Sequence, residues 1–377
     1  MSDRKKLIVV LGMHRSGTSV IARGLKAMGV DLGENLLPAM AEVNERGFWE
    51  DQDFLALNVE LMALSGLDWY DNCPAGRFQA DDTRLEPYRS RAVQLVEDRL
   101  AIYPSFAVKD PRMAVLLPFW RAVFEQVECD VVYLIAIRNP RSVVDSIVRR
   151  DGFGAVKIYY LWLEHVLSSL LVTSGYPRVV VDYDVFMAEP IRQLERIGYA
   201  ISFEMSPDSA REMDEFKDDF LSVELRHSRY GIDDLGNDPA APPDVIELYS
   251  SLLNVATELR PIDSQSMASL LDRCRREYLK MAFLFPYINE LERRLRRLKN
   301  EGGAQAEILA LEQTLQEQRK WCFTLGKTNA ALSTSIVASE NQNQALLQHL
   351  AQMETSATWR FTALLRRLMN WVRSDSL

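Results

Sequence analysis

The sequence predicts a doubly wound α/β fold, a P-loop-type parallel sheet flanked by helices, followed by a C-terminal helical coiled-coil extension. Short apolar runs rich in β-branched residues recur with helical stretches between them, as is typical of parallel strands buried on both faces. The first run also leads through a glycine-flanked loop into an apolar-periodic helix. The runs are LIVVLG (7–12), FAVKD (106–110), VVYLIAIR (131–138) and RVVVDYD (178–184).

Composition narrows the class of protein. The chain has 377 residues, of which 47% are hydrophobic, enough for one sizeable α/β domain and an extension. Its net charge of -9 argues against nucleic acid as a partner, because such binding needs a basic face. Four cysteines lie far apart without metal-ligand spacing, so we expect a cytoplasmic protein with free thiols and no metal site. No apolar run reaches the roughly 18–20 residues of a membrane span.

The region after the first helix predicts a ligand pocket. Beyond Gly17, the residues Ile21, Leu25 and Met28 keep the spacing of a helix that packs on a sheet. Between Asp31 and Asp81 that periodicity is lost, and aromatic and acidic residues gather in NERGFWEDQDF (44–54) and GLDWYDNC (66–73). An open α/β sheet binds its ligand at the carboxyl ends of its strands, where an insertion after the first helix lies.

Beyond Pro286 the sequence has the pattern of a coiled coil. Apolar residues there follow a 3-4-3 spacing that stops at NEGGAQ and then resumes, which predicts two short coiled-coil helices with a break between them. We expect an α/β domain over residues 1–285, a coiled-coil extension over 286–357 and a basic amphipathic helix over 358–377. The apolar positions are Ile288, Leu291, Leu295 and Leu298, then Ile308, Leu311 and Leu315.

Both C-terminal segments predict partners. A coiled coil of this length supports either a helical hairpin or a homo-oligomer. The last segment, TWRFTALLRRLMNWVR (358–373), interleaves aromatic and apolar residues with arginines. A helix of this kind lies on an anionic membrane surface, so peripheral membrane contact is one expectation, and packing on protein is the other.

The loop GMHRSGTS (12–19) matches G-x-x-x-x-G-K-[ST] except that Thr18 stands in place of the lysine. Its backbone amides and the following helix N-terminus favour a phosphate or sulfate whatever residue 18 is. Other cations must then neutralise the ligand: Arg15 in the loop, Lys109 at the end of one strand and Arg138 at the end of the next. In a parallel sheet these strand ends lie at one edge, around one anionic ligand.

Three motifs in order, GMHRSGTS, VKDPRM and RNPRSVVDS, resemble the sulfotransferase superfamily over about residues 7–285. The resemblance implies that the sulfuryl donor is 3′-phosphoadenosine 5′-phosphosulfate (PAPS), that no metal is required, and that Lys109 lies near the transferred group. It further implies that Arg138 and Ser146 bind the 3′-phosphate. The 5′-phosphosulfate would be held by Arg15, Ser16, Gly17, Thr18 and Ser19.

In-line sulfuryl transfer depends mainly on positioning and on cations, so we expect Arg15 and Lys109 to act on the group in transfer. A general base must also take the proton of the acceptor hydroxyl. Glu50 is our choice for the base, because Phe48 and Trp49 beside it would desolvate its carboxyl and raise its pKa. His14 is the rival base, and the other glutamates in the region are Glu34, Glu42 and Glu45.

The ending ATWRFTALLRRL resembles the S-W-R-x-T-x-P-L-R ending of bacterial enzymes that assemble surface polysaccharides, with Leu364 in place of proline. That resemblance favours a carbohydrate hydroxyl as acceptor, on a surface polysaccharide or glycolipid at the inner face of the membrane. Two other functions stay open. One is a small-molecule kinase, which needs Mg²⁺ and a strand-end acid. The other is a catalytically inactive P-loop scaffold that acts through its coiled coil.

Overall fold

The computed structural model describes residues 5–40, 47–73, 78–79, 81–203, 209–221, 230–302 and 304–355. Within these ranges one parallel sheet is formed, in the strand order β2-β1-β3-β4. The predicted parallel sheet flanked by helices is confirmed, and each strand begins and ends within two residues of its predicted bounds. The strands are β1 (Lys6–Leu11), β2 (Ser105–Lys109), β3 (Asp130–Ile137) and β4 (Arg178–Asp182).

Helices connect the strands and continue beyond the last one. Short 3-10 turns precede α3, α4 and α13, at Thr83–Leu85, Pro111–Ala114 and Ala282–Leu284, and a π-helical turn follows α9 at Phe216–Phe220. The helices are α1 (Thr18–Met28), α2 (Gln52–Leu64), α3 (Glu86–Ile102), α4 (Leu117–Phe124), α5 (Pro140–Asp151), α6 (Ala155–Val172), α7 (Tyr183–Ala188), α8 (Pro190–Ala200), α9 (Ser209–Glu215), α10 (Ile232–Gly236), α11 (Pro243–Ala256), α12 (Gln265–Met281), α13 (Phe285–Asn300) and α14 (Gln305–Thr355).

Both faces of the sheet are buried. Along β1, Leu7, Val9 and Leu11 point into one hydrophobic cluster, whereas Ile8 and Val10 point into another on the opposite face. All five side chains are fully buried. Side chains alternate between the faces of a strand, so a strand covered by helices on both sides needs an unbroken apolar run. This is the physical reason why the apolar runs located the strands.

The strand order places a crevice beside β1. The chain passes from β1 outward to β2 and then crosses to β3 on the other side of β1. Connections that leave neighbouring strands in opposite directions open a crevice at the carboxyl edge of the sheet. The loop after β1 and the turn Arg138–Pro140 after β3 both lie at this crevice, and Lys109 ends β2 at the same edge.

The chain divides into two compact units, residues 1–326 and 327–377. The first unit extends past the boundary that the sequence predicts at residue 285, because Ile288, Leu315 and Cys322 are buried in the larger hydrophobic cluster. The predicted break is present, since α13 ends at Asn300 and α14 begins at Gln305, although α14 is a long helix. Coiled-coil pairing stays a prediction, and the predicted helix over 358–377 lies outside the described residues.

Helix α6 is long and apolar enough to cross a membrane, in contrast to the expectation that no such run exists. Most of its surface is buried inside the first unit, including Trp162 and Tyr159, which are fully buried. An apolar helix surrounded by protein is typical of the core of an α/β domain.

Candidate functional site

The loop between β1 and α1 has the backbone of an anion cradle. Gly12, Arg15 and Gly17 have positive φ angles of 143°, 68° and 88°. A Cβ on Gly17 would lie 2.4 Å from Cδ2 of Tyr183, and one on Gly12 would lie 2.6 Å from the carbonyl oxygen of Ala136. Gly17 is also the N-cap of α1 and has no side chain to cap the first amides of the helix. Amides at a helix N-terminus without a capping side chain can donate to an anion.

Ser16 adds an unused hydroxyl to the loop. The residue is 1% exposed, and its Oγ has no hydrogen-bond partner within the described part of the chain. A buried hydroxyl without a partner lowers stability, because it has lost its hydrogen bonds to water. An oxygen of a phosphosulfate group would supply the missing partner, so the loop fits the group that the sequence assigns to it.

Arg15, Arg138 and Ser146 meet at one end of the loop. Nε of Arg15 donates to Oγ of Ser146 over 2.9 Å, and Nη1 of Arg138 donates to the carbonyl oxygen of Arg15 over 3.2 Å. The guanidinium of Arg138 lies 4.4 Å from the ring centroid of Tyr183. Burial, together with the charges of Arg150 and Arg138, lowers the pKa of Arg15. Cations crowded in this way favour a ligand with a high negative charge.

Lys109 and Glu50 meet at the other end of the loop. Nζ of Lys109 donates to Oε1 of Glu50 over 2.6 Å, to the carbonyl oxygen of Phe48 over 2.9 Å and to Oγ of Ser19 over 3.3 Å. The Lys109 and Glu50 side chains are 2% and 6% exposed. Lys109 thus places a buried cation beside Ser19, the last residue of the loop. The loop itself has no lysine.

Burial raises the pKa of Glu50, and the charge of Lys109 opposes that rise. The second carboxylate oxygen of Glu50 lies 3.9 Å from Nη1 of Arg112. Trp49, expected to desolvate Glu50, instead has its ring beside Arg23 and Lys26 of α1, with centroid distances of 5.8 and 5.5 Å. Of the other candidate glutamates, Glu34 is exposed, and Glu42 and Glu45 lie outside the described residues.

His14, the rival base, lies at the same site. Its ring centroid is 4.6 Å from that of Trp69, and its Nε2 is buried without a hydrogen-bond partner in the described ranges. Burial, and then the charges of Arg112, His165 and Lys109, lower the pKa of His14 well below its usual value. The imidazole is therefore neutral near pH 7, and the same surroundings disfavour its protonation.

The structure brings every residue of the predicted site to one edge of the sheet. Their roles in binding and catalysis stay predictions. Sequence reasoning gave no role at the site to Arg112 or Arg150, and it placed Trp69 in the predicted pocket segment GLDWYDNC (66–73) without a role of its own. Arg150 follows Ser146 by four residues, which puts both on one face of α5, so helical spacing would have pointed to it. No local pattern indicates that Trp69 contacts His14, because this contact joins residues distant in the sequence.

The acids at the strand ends are engaged by the protein itself. Asp182 accepts hydrogen bonds from the amides of Asp184 and Val185, at 2.9 and 3.0 Å, and burial raises its pKa to about 6. Asp110 accepts from Nδ2 of Asn58 over 2.8 Å and from Arg112 over 2.9 Å. Among the described residues, no group of three or more His, Cys, Asp or Glu side chains is arranged to hold a metal ion.

Neither a protein-family model nor a curated protein matches the chain. Among solved structures, it is similar to the sulfotransferase domain from the curacin biosynthetic pathway, with 16% identity and a TM-score of 0.33 over 56% of this chain and 78% of that one. The sulfotransferase domain from the Synechococcus PCC 7002 olefin synthase has 14% identity and a TM-score of 0.33 over 72% and 95%. A retinol dehydratase in complex with androsterone and the inactive cofactor PAP has 13% identity and a TM-score of 0.26 over 73% and 80%. These are similarities of fold alone.

Proposed function

We propose that this protein is a sulfotransferase that moves the sulfuryl group of PAPS to an acceptor hydroxyl. The observation that carries the proposal is the hydrogen bond of 2.9 Å from Nε of Arg15 to Oγ of Ser146. It joins the loop, which we expect to bind the phosphosulfate, to the helix that we expect to bind the 3′-phosphate. One end of the loop holds the Lys109–Glu50 pair, and the other holds the cluster of Arg15, Arg138 and Ser146. A donor with a phosphosulfate at one end and a separate 3′-phosphate fits this arrangement.

In the proposed reaction, the loop amides and the Ser16 hydroxyl bind the phosphosulfate. The acceptor oxygen forms a bond to sulfur while the bond between sulfur and the phosphate oxygen breaks, which leaves 3′-phosphoadenosine 5′-phosphate (PAP). Lys109 stabilises the charge that develops on the oxygens in transfer, as preorganised cations do in related reactions. Glu50 accepts the proton of the acceptor hydroxyl.

Arg15 has a second role in this proposal besides contact with the group in transfer. Its side chain extends to Ser146 and is surrounded by Arg138 and Arg150. This geometry supports a contact between Arg15 and the 3′-phosphate, so that Lys109 is the main cation at the point of transfer.

The engaged acids favour this function over a kinase. A Mg²⁺-nucleotide kinase needs a strand-end carboxylate that is free to hold the ion. Asp110 follows β2 directly and Asp182 ends β4, and both already accept hydrogen bonds from protein groups. The buried Lys109–Glu50 pair also argues against an inactive scaffold, because a buried ion pair is a costly way to stabilise a fold.

We further propose a glycan as acceptor and a location at the inner face of the membrane, with contact through the C-terminal helix and self-association through the coiled coil. The support is the sequence of residues 286–377. Deletion of residues 355–377 is expected to release the protein from membranes while PAP binding is kept. If the shortened chain fractionates with membranes as the full chain does, the membrane proposal fails.

Calorimetric titration with PAP and with ADP, without Mg²⁺, tests the donor. PAP is expected to bind at least about tenfold more tightly than ADP, which is about 1.4 kcal/mol. Arg138→Ala should remove that preference, whereas Arg149→Ala, at an exposed position on α5, the helix that follows Arg138, should not. Equal or tighter binding of ADP or ATP to the wild-type protein would sink the sulfotransferase proposal.

A further inference from the structure

Residues 66–73, which we call the Trp69 segment, bring an aromatic ring to the phosphate-binding loop. The ring of Trp69 is half-buried and lies 4.6 Å from the ring of His14, and the guanidinium of Arg150 lies 5.2 Å from its centroid. His14 in turn lies within the electrostatic reach of Arg112 and Lys109. Trp69 therefore borders the loop at His14, whose charged surroundings include both Lys109 at one end of the loop and Arg150.

Helix α13 holds both ends of the Trp69 segment. Nη1 of Arg293 donates to the carbonyl oxygen of Gly66 over 2.7 Å and lies 3.3 Å from Oδ2 of Asp71. Nδ2 of Asn289 donates to the carbonyl oxygen of Asn72 over 3.0 Å, and Asn289 is 1% exposed. The backbone of the segment thus takes its position from a helix more than 200 residues further along the chain.

Arg296 of α13 braces the ring of Trp69 indirectly. Its guanidinium lies 3.8 Å from the ring centroid of Tyr70 and 4.7 Å from that of Phe153. Both of these rings meet Trp69 nearly edge-on, at centroid distances of 5.6 and 6.0 Å. A cation over an aromatic face is favourable, and more so when water is excluded. Arg296 therefore holds the two rings that support Trp69.

Buried charges fix α13 itself. Glu292 of α13 pairs with Lys157 of α6 and, over 2.6 Å, with Nη2 of Arg319 of α14. The Lys157 and Glu292 side chains are 1% and 4% exposed. Separating a buried ion pair exposes each charge to a low dielectric, so α13 cannot slide or rotate without a large cost. The position of Trp69 is thus coupled to three helices of the first unit.

We propose that Trp69 is the acceptor-facing wall of the transfer centre, and that Arg293 and Arg296 are positioning residues that hold it there. This rests on the proposed function, since it assigns the acceptor side of the same site. An indole face packs on the apolar C–H face of a saturated ring, so the acceptor class is a ring-bearing alcohol such as a sugar. The same wall keeps water from the sulfuryl group. Helix α13, which the sequence places outside the catalytic domain, completes the site.

The first test measures acrylamide quenching of Trp69 fluorescence in the full-length protein. The chain has 7 tryptophans, so the signal of Trp69 is the difference between each protein and its Trp69→Phe counterpart. Arg296→Ala should raise the quenching constant of Trp69 by about twofold or more. Arg296→Lys keeps the charge but not the planar group, so its quenching constant should lie between those of Arg296→Ala and the wild-type protein. The matched control is Arg294→Ala, an exposed arginine of α13 that pairs with Glu307 and should change nothing.

The second test follows sulfate release from radiolabelled PAPS without an acceptor. Trp69→Ala and Arg296→Ala should release sulfate to water at least about threefold faster than the wild-type protein, because the opened wall admits water. PAP affinity should stay within about twofold of wild type in both variants. Unchanged or slower release in both, or unchanged quenching in Arg296→Ala, would overturn the inference. A wild-type protein that does not bind PAP would instead overturn the proposed function.

Discussion

Arg15 and Ser146 are joined by a hydrogen bond of 2.9 Å from Nε to Oγ, although 131 residues separate them in the sequence. The bond links the phosphate-binding loop to α5, and Arg138 adds a second link through the carbonyl oxygen of Arg15. A ligand that contacts either part therefore acts on both.

We predict that Arg15 and Ser146 are energetically coupled in donor binding. Arg15→Ala and Ser146→Ala should each weaken PAP binding about tenfold. The double variant should lose less PAP affinity than the product of the two single losses, which corresponds to a coupling free energy of about 1 kcal/mol. Calorimetry on the four proteins measures this coupling. Strictly additive losses would show that the two side chains bind the ligand independently.

Gly17→Ala is predicted to be far more damaging than Gly152→Ala. Both glycines have positive φ angles, 88° and 71°, so both variants bear the backbone cost of about 1 kcal/mol. Only at Gly17 would the new Cβ meet another group, since it would lie 2.4 Å from Tyr183, and nothing lies within 4 Å at Gly152. Gly17→Ala should lower the free energy of unfolding by about 2 kcal/mol or more and weaken PAP binding. Urea unfolding measures the difference, and equal losses in the two variants would contradict it.

Lys109 and Glu50 should show compensation in stability. Lys109→Met leaves the Glu50 carboxylate buried without its partner at 2.6 Å, which should cost about 3–5 kcal/mol of unfolding free energy near neutral pH. The double variant Lys109→Met/Glu50→Gln has no buried charge at either position and should be more stable than Lys109→Met alone. Urea unfolding of the wild type, Lys109→Met and the double variant checks this order of stability. If the two side chains contributed separately, the double variant would be less stable than Lys109→Met.

The identity of the general base can be read from sulfate release. Glu50→Gln should slow release from PAPS by about 10²-fold while PAP affinity changes little, because the amide cannot take a proton. His14→Gln is the matched comparison, as both candidate bases lie at the same site. If sulfate release slows strongly in His14→Gln and not in Glu50→Gln, the general base is His14. Its Nε2 is buried and has no hydrogen-bond partner among the described residues.

Glu164 should make stability fall as pH rises. Burial raises its pKa to about 8, although hydrogen bonds from Tyr278, from the amide of Cys73 and from Asn72 oppose the rise. Between the ordinary carboxyl pKa and about 8, the folded chain keeps the proton and the unfolded chain releases it. Glu164 therefore lowers the free energy of unfolding by up to about 1.4 kcal/mol for each pH unit in that window.

Glu164→Gln removes this dependence, because an amide does not titrate. Relative to wild type, the variant should be more stable at about pH 8 than at about pH 5, as measured by urea unfolding at each pH. Glu195→Gln, at an exposed position, is the control and should show no such trend. The prediction is contradicted if the difference in stability between Glu164→Gln and the wild-type protein is the same at both pH values.

The sequence by itself determined the strands, the loop and the set of cations. Strands buried on both faces need unbroken apolar runs such as Leu7–Leu11, and the φ angle of 88° at Gly17 favours glycine, so both signals are local. The edge at which Arg15, Lys109 and Arg138 gather also follows from strand direction alone.

Only the tertiary structure decided which side chains meet. Lys109 pairs with Glu50, Trp49 turns to α1, and Arg293 of α13 holds the segment that carries Trp69. Each of these contacts joins residues on different elements, and its existence depends on which helices pack side by side. Local pattern and propensity carry no record of such packing, because the burial that stabilises it is shared among distant parts of the chain.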